Sequence, residues 1–100
     1  MLSILIIDES RARVTELCAA LVFAGHRVAA VLPSVLDLSA QIVALRPDVI
    51  LLETESPSRD TLEHLALLNR NLPRPLIMLT PGGNVDVMRA AFKAGVSAYV

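Results

Sequence analysis

Acidic and hydroxyl side chains follow three separate apolar runs of the sequence. These residues are Asp8, Glu9, Glu53, Thr54, Glu55 and Thr80. Clustered carboxylates repel one another unless a positive charge joins them. Mg²⁺ is a natural partner, because it takes oxygen ligands and is held by one or two protein carboxylates plus water. The alternative is that strand-end acids stabilise the starts of the following helices, where negative charge is favoured.

Short aliphatic runs alternate with amphipathic ones along the chain. LSILII, HRVAAVL, DVILLE, PLIMLT and VSAYV have strand length. Between them lie four helical patterns: ESRARVTELCAALVFAG closed by Gly25, VLDLSAQIVAL capped by Ser34 and ended by Pro47, SRDTLEHLALLNRN capped by Ser58, and NVDVMRAAFKAG closed by Gly95. This order predicts an α/β fold with a parallel sheet covered by helices on both faces. Sites in such sheets form beyond the carboxyl ends of the strands, where the acids stand.

Composition limits the classes of function. The chain has 100 residues, 54% of them apolar, and a net charge of -1, which suits one small domain with a real core. The sequence has no basic stripe, so we expect no nucleic-acid binding by this segment itself. The first residues lack the basic leader of a signal peptide, and no apolar run approaches the roughly 18 residues of a membrane helix. We therefore expect a cytoplasmic location and no membrane contact.

The order of these motifs resembles the receiver domain of two-component response regulators. ILIIDES resembles the first strand of that family with its acidic pair, here Asp8 and Glu9. VILLETESPSRD resembles the segment in which the phospho-acceptor stands four residues before a proline, here Glu53. LIMLT and KAGVSAYV resemble the strands that carry the switch hydroxyl and the switch aromatic, here Thr80 and Tyr99.

The resemblance implies a flavodoxin-like doubly wound sheet with strand order 2-1-3-4-5. It implies Mg²⁺ held by Asp8, Glu9 and Glu53, a sensor protein or histidine kinase as partner, and no enzymatic turnover. Residues 1–100 would form one receiver domain, with the family's pocket lysine and last helix expected after Val100. Homodimer formation is left open.

A narrower resemblance points to the nitrate-responsive antiterminators of the NasT/ANTAR kind. TESPSRD, PRP and KAGVSAYV carry it. In that group a receiver-like domain precedes a helical RNA-binding domain. The resemblance implies control of transcription by antitermination, with RNA contacted only through an output domain that is not in this chain.

Glu53 departs from the family, whose acceptor is Asp. One extra methylene moves the carboxylate by about a bond length, and roughly 1 Å of misplacement can cost on the order of a hundredfold in rate. Three interpretations stay open. Glu53 mimics a phosphorylated state, the site is degenerate and has no signalling role, or Glu53 accepts phosphate as in a conventional Mg²⁺-dependent phosphorelay. A small flavodoxin-like enzyme or nucleotide binder is a further alternative, although the TPGGN segment lacks the lysine and spacing of a phosphate loop.

Three arginines, Arg11, Arg13 and Arg59, lie near the acidic edge. They could balance its charge, or they could simply solvate the exposed faces of their helices. We expect Glu55 to be a loop residue.

Overall fold

Strands and helices alternate along the chain as the hydrophobic pattern predicts. The computed structural model describes residues 1–54, 57–80 and 85–100. Its elements are β1 (Ser3–Ile7), α1 (Arg11–Phe23), β2 (Arg27–Leu32), α2 (Leu38–Leu45), β3 (Val49–Glu53), α3 (Arg59–Asn71), β4 (Leu76–Leu79), α4 (Val85–Lys93) and β5 (Ala98–Tyr99). Glu55 and the glycine-rich segment 81–84, on which the sequence also prompted predictions, lie outside the described ranges.

The five strands form one parallel sheet in the order β2-β1-β3-β4-β5. This confirms the predicted flavodoxin-like fold and strand order. The strand order reverses between β1 and β3. The strand after β1 in the sequence, β2, lies on one side of this pair, and the strand after β3, β4, lies on the other. The carboxyl ends of these two central strands therefore border the crevice in which such folds bind their ligands.

Side chains alternate between two cores, one on each face of the sheet. The larger core contains Leu5, Ile7, Ile50, Leu52 and Met78 of the strands, together with residues of α2, α3 and α4. The smaller core contains Ile4, Ile6 and Leu51, against which α1 packs Val14, Leu17, Cys18 and Leu21. Both faces of β1 and β3 are covered, which is why residues 4–7 and 49–52 of these strands are all apolar. Each fully buried aliphatic side chain contributes about 1.5–3 kcal/mol.

Helix α2 begins later than the sequence predicts. The predicted cap was Ser34, but the helix starts at Leu38. The Ser34 hydroxyl instead accepts a hydrogen bond from the Leu36 backbone N–H at 3.3 Å, two residues on. A serine bonded at that spacing closes a local turn, which competes with helix formation. Residues 34–37 therefore belong to the loop at the carboxyl edge of the sheet.

The predicted cap of α3 and the predicted ends of α1, α2 and α4 are confirmed. The Ser58 hydroxyl caps α3 by accepting the Thr61 N–H at 3.0 Å. Gly25 and Gly95 follow α1 and α4 with φ of 91° and 100°, a left-handed conformation that glycine adopts without a Cβ clash. Helix α2 ends at Leu45, one residue before a left-handed Arg46 and two before Pro47.

Candidate functional site

Asp8 and Glu53 lie side by side at the carboxyl edge of the sheet. Strands β1 and β3 pair in parallel with Ile7 opposite Leu52, so the next residues of the two strands are neighbours. Alternation along each strand places Asp8 on the face of Ile6, and Glu53 on the face of Leu51. Both carboxylates therefore point to the side of the sheet that α1 covers.

The Arg13 guanidinium joins these two carboxylates. Its Nη2 donates to Asp8 Oδ1 at 3.0 Å, and its Nε lies 3.3 Å from Asp8 Oδ2. The same Nε lies 2.8 Å from Glu53 Oε1. The Asp8 side chain is fully buried, whereas the side chains of Glu53 and Arg13 are 15% and 46% exposed. We call this half-buried group of Asp8, Glu53 and the permanently charged Arg13 the Arg13 bridge.

The start of α1 positions Arg13 for this role. Ser10 caps the helix with its hydroxyl, which accepts the Arg13 N–H at 3.5 Å. The Ser10 N–H in turn donates to Asp8 Oδ1 at 2.9 Å. Arg13 is the third residue of α1, and long helical side chains lean back toward the N-terminus. That direction carries the guanidinium over the ends of β1 and β3.

These contacts change the acidity of Asp8. Burial alone would raise the pKa of its carboxyl group. Hydrogen bonds from the Arg13 guanidinium and the Ser10 N–H, with the positive charge of Arg13, outweigh that effect and hold the pKa below its ordinary value of 3.8. Asp8 is therefore an anion at neutral pH.

The predicted metal ligands do not all converge. Asp8 and Glu53 are adjacent, but Glu9 is exposed to solvent. Within residues 1–54, 57–80 and 85–100, no group of three or more His, Cys, Asp or Glu side chains is placed to hold a metal ion. The residues present do not fit Mg²⁺ in this arrangement, because a guanidinium already joins the two carboxylates. Ligation by Asp8, Glu9 and Glu53 together stays a prediction.

The two predicted switch residues lie close to each other in the chain's sheet, one directly after β4 and one in the neighbouring β5. Thr80 follows β4 and is buried, and its N–H donates to the Val100 carbonyl at 2.9 Å. Tyr99 is half-buried in β5, and its ring centroid lies 6.5 Å from that of Phe92 on α4. Neither hydroxyl has a hydrogen-bond partner among the described residues. Their switching role stays a prediction.

The other two arginines near this edge take different positions. Arg59 forms an exposed ion pair with Glu63 on its own helix, at 3.7 Å. Arg11 is exposed and contacts neither carboxylate of the pair. Arg13 therefore neutralises the acidic edge. Arg11 and Arg59 match the alternative prediction, in which they solvate the exposed faces of their helices.

An open cleft of about 790 Å³ borders the Arg13 bridge. The loop after β2 forms one wall, and the first turns of α3, including Asp60 and His64, form the other. The cleft lies beside the point where strand order reverses, the usual place of a site in this fold.

Comparison with known proteins assigns the fold to response-regulator receiver domains. A response regulator from Chloroflexus aurantiacus is 25% identical, with a TM-score of 0.83 over 99% of this chain and 83% of that chain. A LuxR-family DNA-binding response regulator from Staphylococcus aureus is 24% identical, with a TM-score of 0.83 over 100% and 85%. A pilus assembly-related protein from Burkholderia pseudomallei is 20% identical, with a TM-score of 0.88 over 100% and 77%.

Residues 3–90 match the family model described as flagellar regulatory protein FleQ. The chain belongs to this family. No curated protein matches the sequence. In the part of the chain that the structure describes, no helix has the length and apolar character needed to cross a membrane.

Proposed function

We propose that this chain is the signal-receiving domain of a transcription regulator, and that it works through protein contacts without accepting a phosphoryl group on Glu53. One observation carries the proposal: the residue at the acceptor position is a glutamate whose Oε1 lies 2.8 Å from Arg13 Nε. The receiver fold and the membership of the flagellar regulator family support a regulatory role.

Transfer of a phosphoryl group requires a nucleophilic oxygen in line with the donor. A carboxylate oxygen held in an ion pair with a guanidinium is less available to attack. The extra methylene of Glu53 also displaces the oxygen from the position an aspartate would give it, and about 1 Å of displacement is enough to cost on the order of a hundredfold. Both effects act against the alternative function, a conventional phosphorelay receiver.

The output of the regulator is proposed from family membership. The family's description supports a part in flagellar regulation. The receiver fold supports a separate output domain and a sensor protein or kinase as the partner. The narrower prediction of antitermination through an RNA-binding domain rests on the sequence resemblance alone. The two outputs differ in their nucleic-acid target, so binding of the full-length regulator to DNA or RNA separates them.

The test of the proposal is the mass of the intact chain after incubation with Mg²⁺ and a small phosphodonor. We expect the natural chain to gain no phosphoryl group under conditions that label a conventional receiver in parallel. The Glu53→Asp variant reports whether side-chain length alone prevents the reaction: labelling of that variant only would assign the block to Glu53. A phosphoryl group mapped to Glu53 in the natural chain would overturn the proposal.

A further inference from the structure

We propose that Arg13 is the resident cation of this pocket and that it keeps divalent metal ions away from Asp8 and Glu53. The inference concerns the same site as the proposed function and rests on its assignment of Glu53 to the acceptor position. Its subject, however, is metal exclusion by Arg13, which can be measured without any phosphorylation.

The first support is the use of the Asp8 oxygens. Oδ1 accepts both the Ser10 N–H at 2.9 Å and Arg13 Nη2 at 3.0 Å, and Oδ2 faces Arg13 Nε at 3.3 Å. The side chain is fully buried, so water does not compete for these oxygens. A metal ion that bound both Asp8 oxygens would have to displace the guanidinium, which would break these bonds.

The second support is the balance of charge. Two adjacent carboxylates repel each other and attract a cation. Arginine stays protonated at any accessible pH, and its planar fork matches carboxylate oxygens better than a point charge does. Mg²⁺ loses its water reluctantly and demands near-octahedral geometry. An attached guanidinium, which need not be captured from solution, therefore has the advantage over a free ion.

The third support is that Arg13 is positioned by the fold. It lies in the first turn of α1, next to a cap that is itself hydrogen-bonded to Asp8. The guanidinium therefore reaches the carboxylates without a rearrangement of the backbone. The Nε atom is shared between Asp8 and Glu53, so one side chain serves both acids.

The test uses Mn²⁺ as the probe, followed by its electron paramagnetic resonance signal or by water proton relaxation. We compare the natural chain with Arg13→Ala and with the matched control Arg11→Ala. Arg11 lies in the same helical turn, is exposed and touches neither carboxylate, so its removal changes the net charge equally. We expect Arg13→Ala to bind Mn²⁺ at least tenfold more tightly than the natural chain, and Arg11→Ala to match the natural chain within about threefold.

Two results would overturn the inference. Arg13→Ala could bind Mn²⁺ no more tightly than the natural chain, or the two arginine variants could gain affinity equally. If Arg13→Ala does not fold, nuclear magnetic resonance of the natural chain decides instead. We expect the Arg13 Nε–H signal to be protected from solvent exchange and unmoved by millimolar Mg²⁺, and a shift of that signal on Mg²⁺ addition would contradict the inference.

The two proposals fail separately. A natural chain that binds Mn²⁺ as tightly as Arg13→Ala but gains no phosphoryl group overturns metal exclusion and leaves the proposed function standing. A natural chain that is phosphorylated on Glu53 overturns the proposed function whatever its affinity for Mn²⁺.

Discussion

Asp8 is the central residue of the site. It is the one acid of the pair that is fully buried, and it receives hydrogen bonds from both the helix cap and the guanidinium. A buried carboxylate with such partners is stabilised as an anion, and removing its charge would leave the partners unsatisfied. The free energy of unfolding should therefore depend on pH through the ionisation of Asp8.

Asp8→Asn is expected to lower the free energy of unfolding at neutral pH by about 2 kcal/mol, through loss of charge-assisted hydrogen bonds. The pKa of Asp8 in the folded chain lies below 3.8. The stabilisation is therefore present above about pH 4 and is lost as the pH falls through the folded-state pKa, where the natural side chain also becomes neutral. Urea unfolding of both chains across this range measures the difference.

Glu9→Gln is the control, because Glu9 is a neighbouring but exposed acid. It should change the free energy of unfolding by no more than about 0.5 kcal/mol at any pH. An Asp8→Asn difference that does not shrink at acid pH would show that the anion is not what stabilises the pocket.

The sequence predicted the two acids of the site but left the role of Arg13 open. Alternation along β1 and β3 puts Asp8 and Glu53 on the face that α1 covers, and the Ser10 cap places Arg13 third in that helix. These two signals together would have favoured Arg13 over Arg11. The contact itself depends on the side-chain direction and on the close approach of α1, which a one-dimensional pattern does not contain.

Among the elements, the turns after α1 and α4 are an informative pair. Gly25 and Gly95 both have positive φ, but their surroundings differ. A Cβ atom at Gly25 would meet nothing within 4 Å, whereas one at Gly95 would collide with the Asn69 side chain of α3. The lack of a side chain at Gly95 therefore allows both the left-handed backbone and the close packing of α3 against the end of α4.

Gly95→Ala is expected to destabilise the chain more than Gly25→Ala. The left-handed backbone costs about 1–2 kcal/mol in both variants. The collision at Gly95 adds about 1–3 kcal/mol of overpacking. The double variant Asn69→Ala/Gly95→Ala should recover only the part of this loss that comes from the Asn69 amide group, as measured by urea unfolding, because the Asn69 Cβ would remain 2.8 Å from the new methyl group. Equal losses at the two glycines, or no recovery in the double variant, would contradict the packing role.

The elements also show why the fold was easier to predict than its details. Apolar runs with turn residues at both ends fixed the type and order of every strand and helix. The start of α2 was predicted wrongly because Ser34 can bond either a helix or a local turn, and sequence does not show which N–H its hydroxyl meets. Leu38, fully buried in the larger core, marks where packing favours the helix.

The whole molecule is organised around β1 and β3. Strand β1 pairs with β2 and β3, and residues Ile4–Ile7 are all buried. Strand β5 has two residues and, within the described parts of the chain, pairs with β4 alone. Stability should therefore decline from the centre of the sheet toward β5.

Amide hydrogen exchange should reveal this gradient. We expect the amides of β1 and β3 to exchange at least about tenfold more slowly than those of β5, because opening the centre requires breaking pairs on both sides and exposing both cores. Exchange measured residue by residue by nuclear magnetic resonance tests the expectation. Protection of Tyr99 equal to that of Leu5 would contradict it.

The Arg13 bridge also bears on how long a regulator retains the effect of a stimulus that has ended. A phosphorylated carboxylate records a past event in a covalent bond that outlasts the encounter with its donor. Asp8, Arg13 and Glu53 are joined instead by noncovalent ion pairs. If Glu53 accepts no phosphoryl group, as we propose, a regulator built on this pocket would keep no covalent record of an earlier stimulus, and its output would follow the number of copies present or the partner attached at that moment.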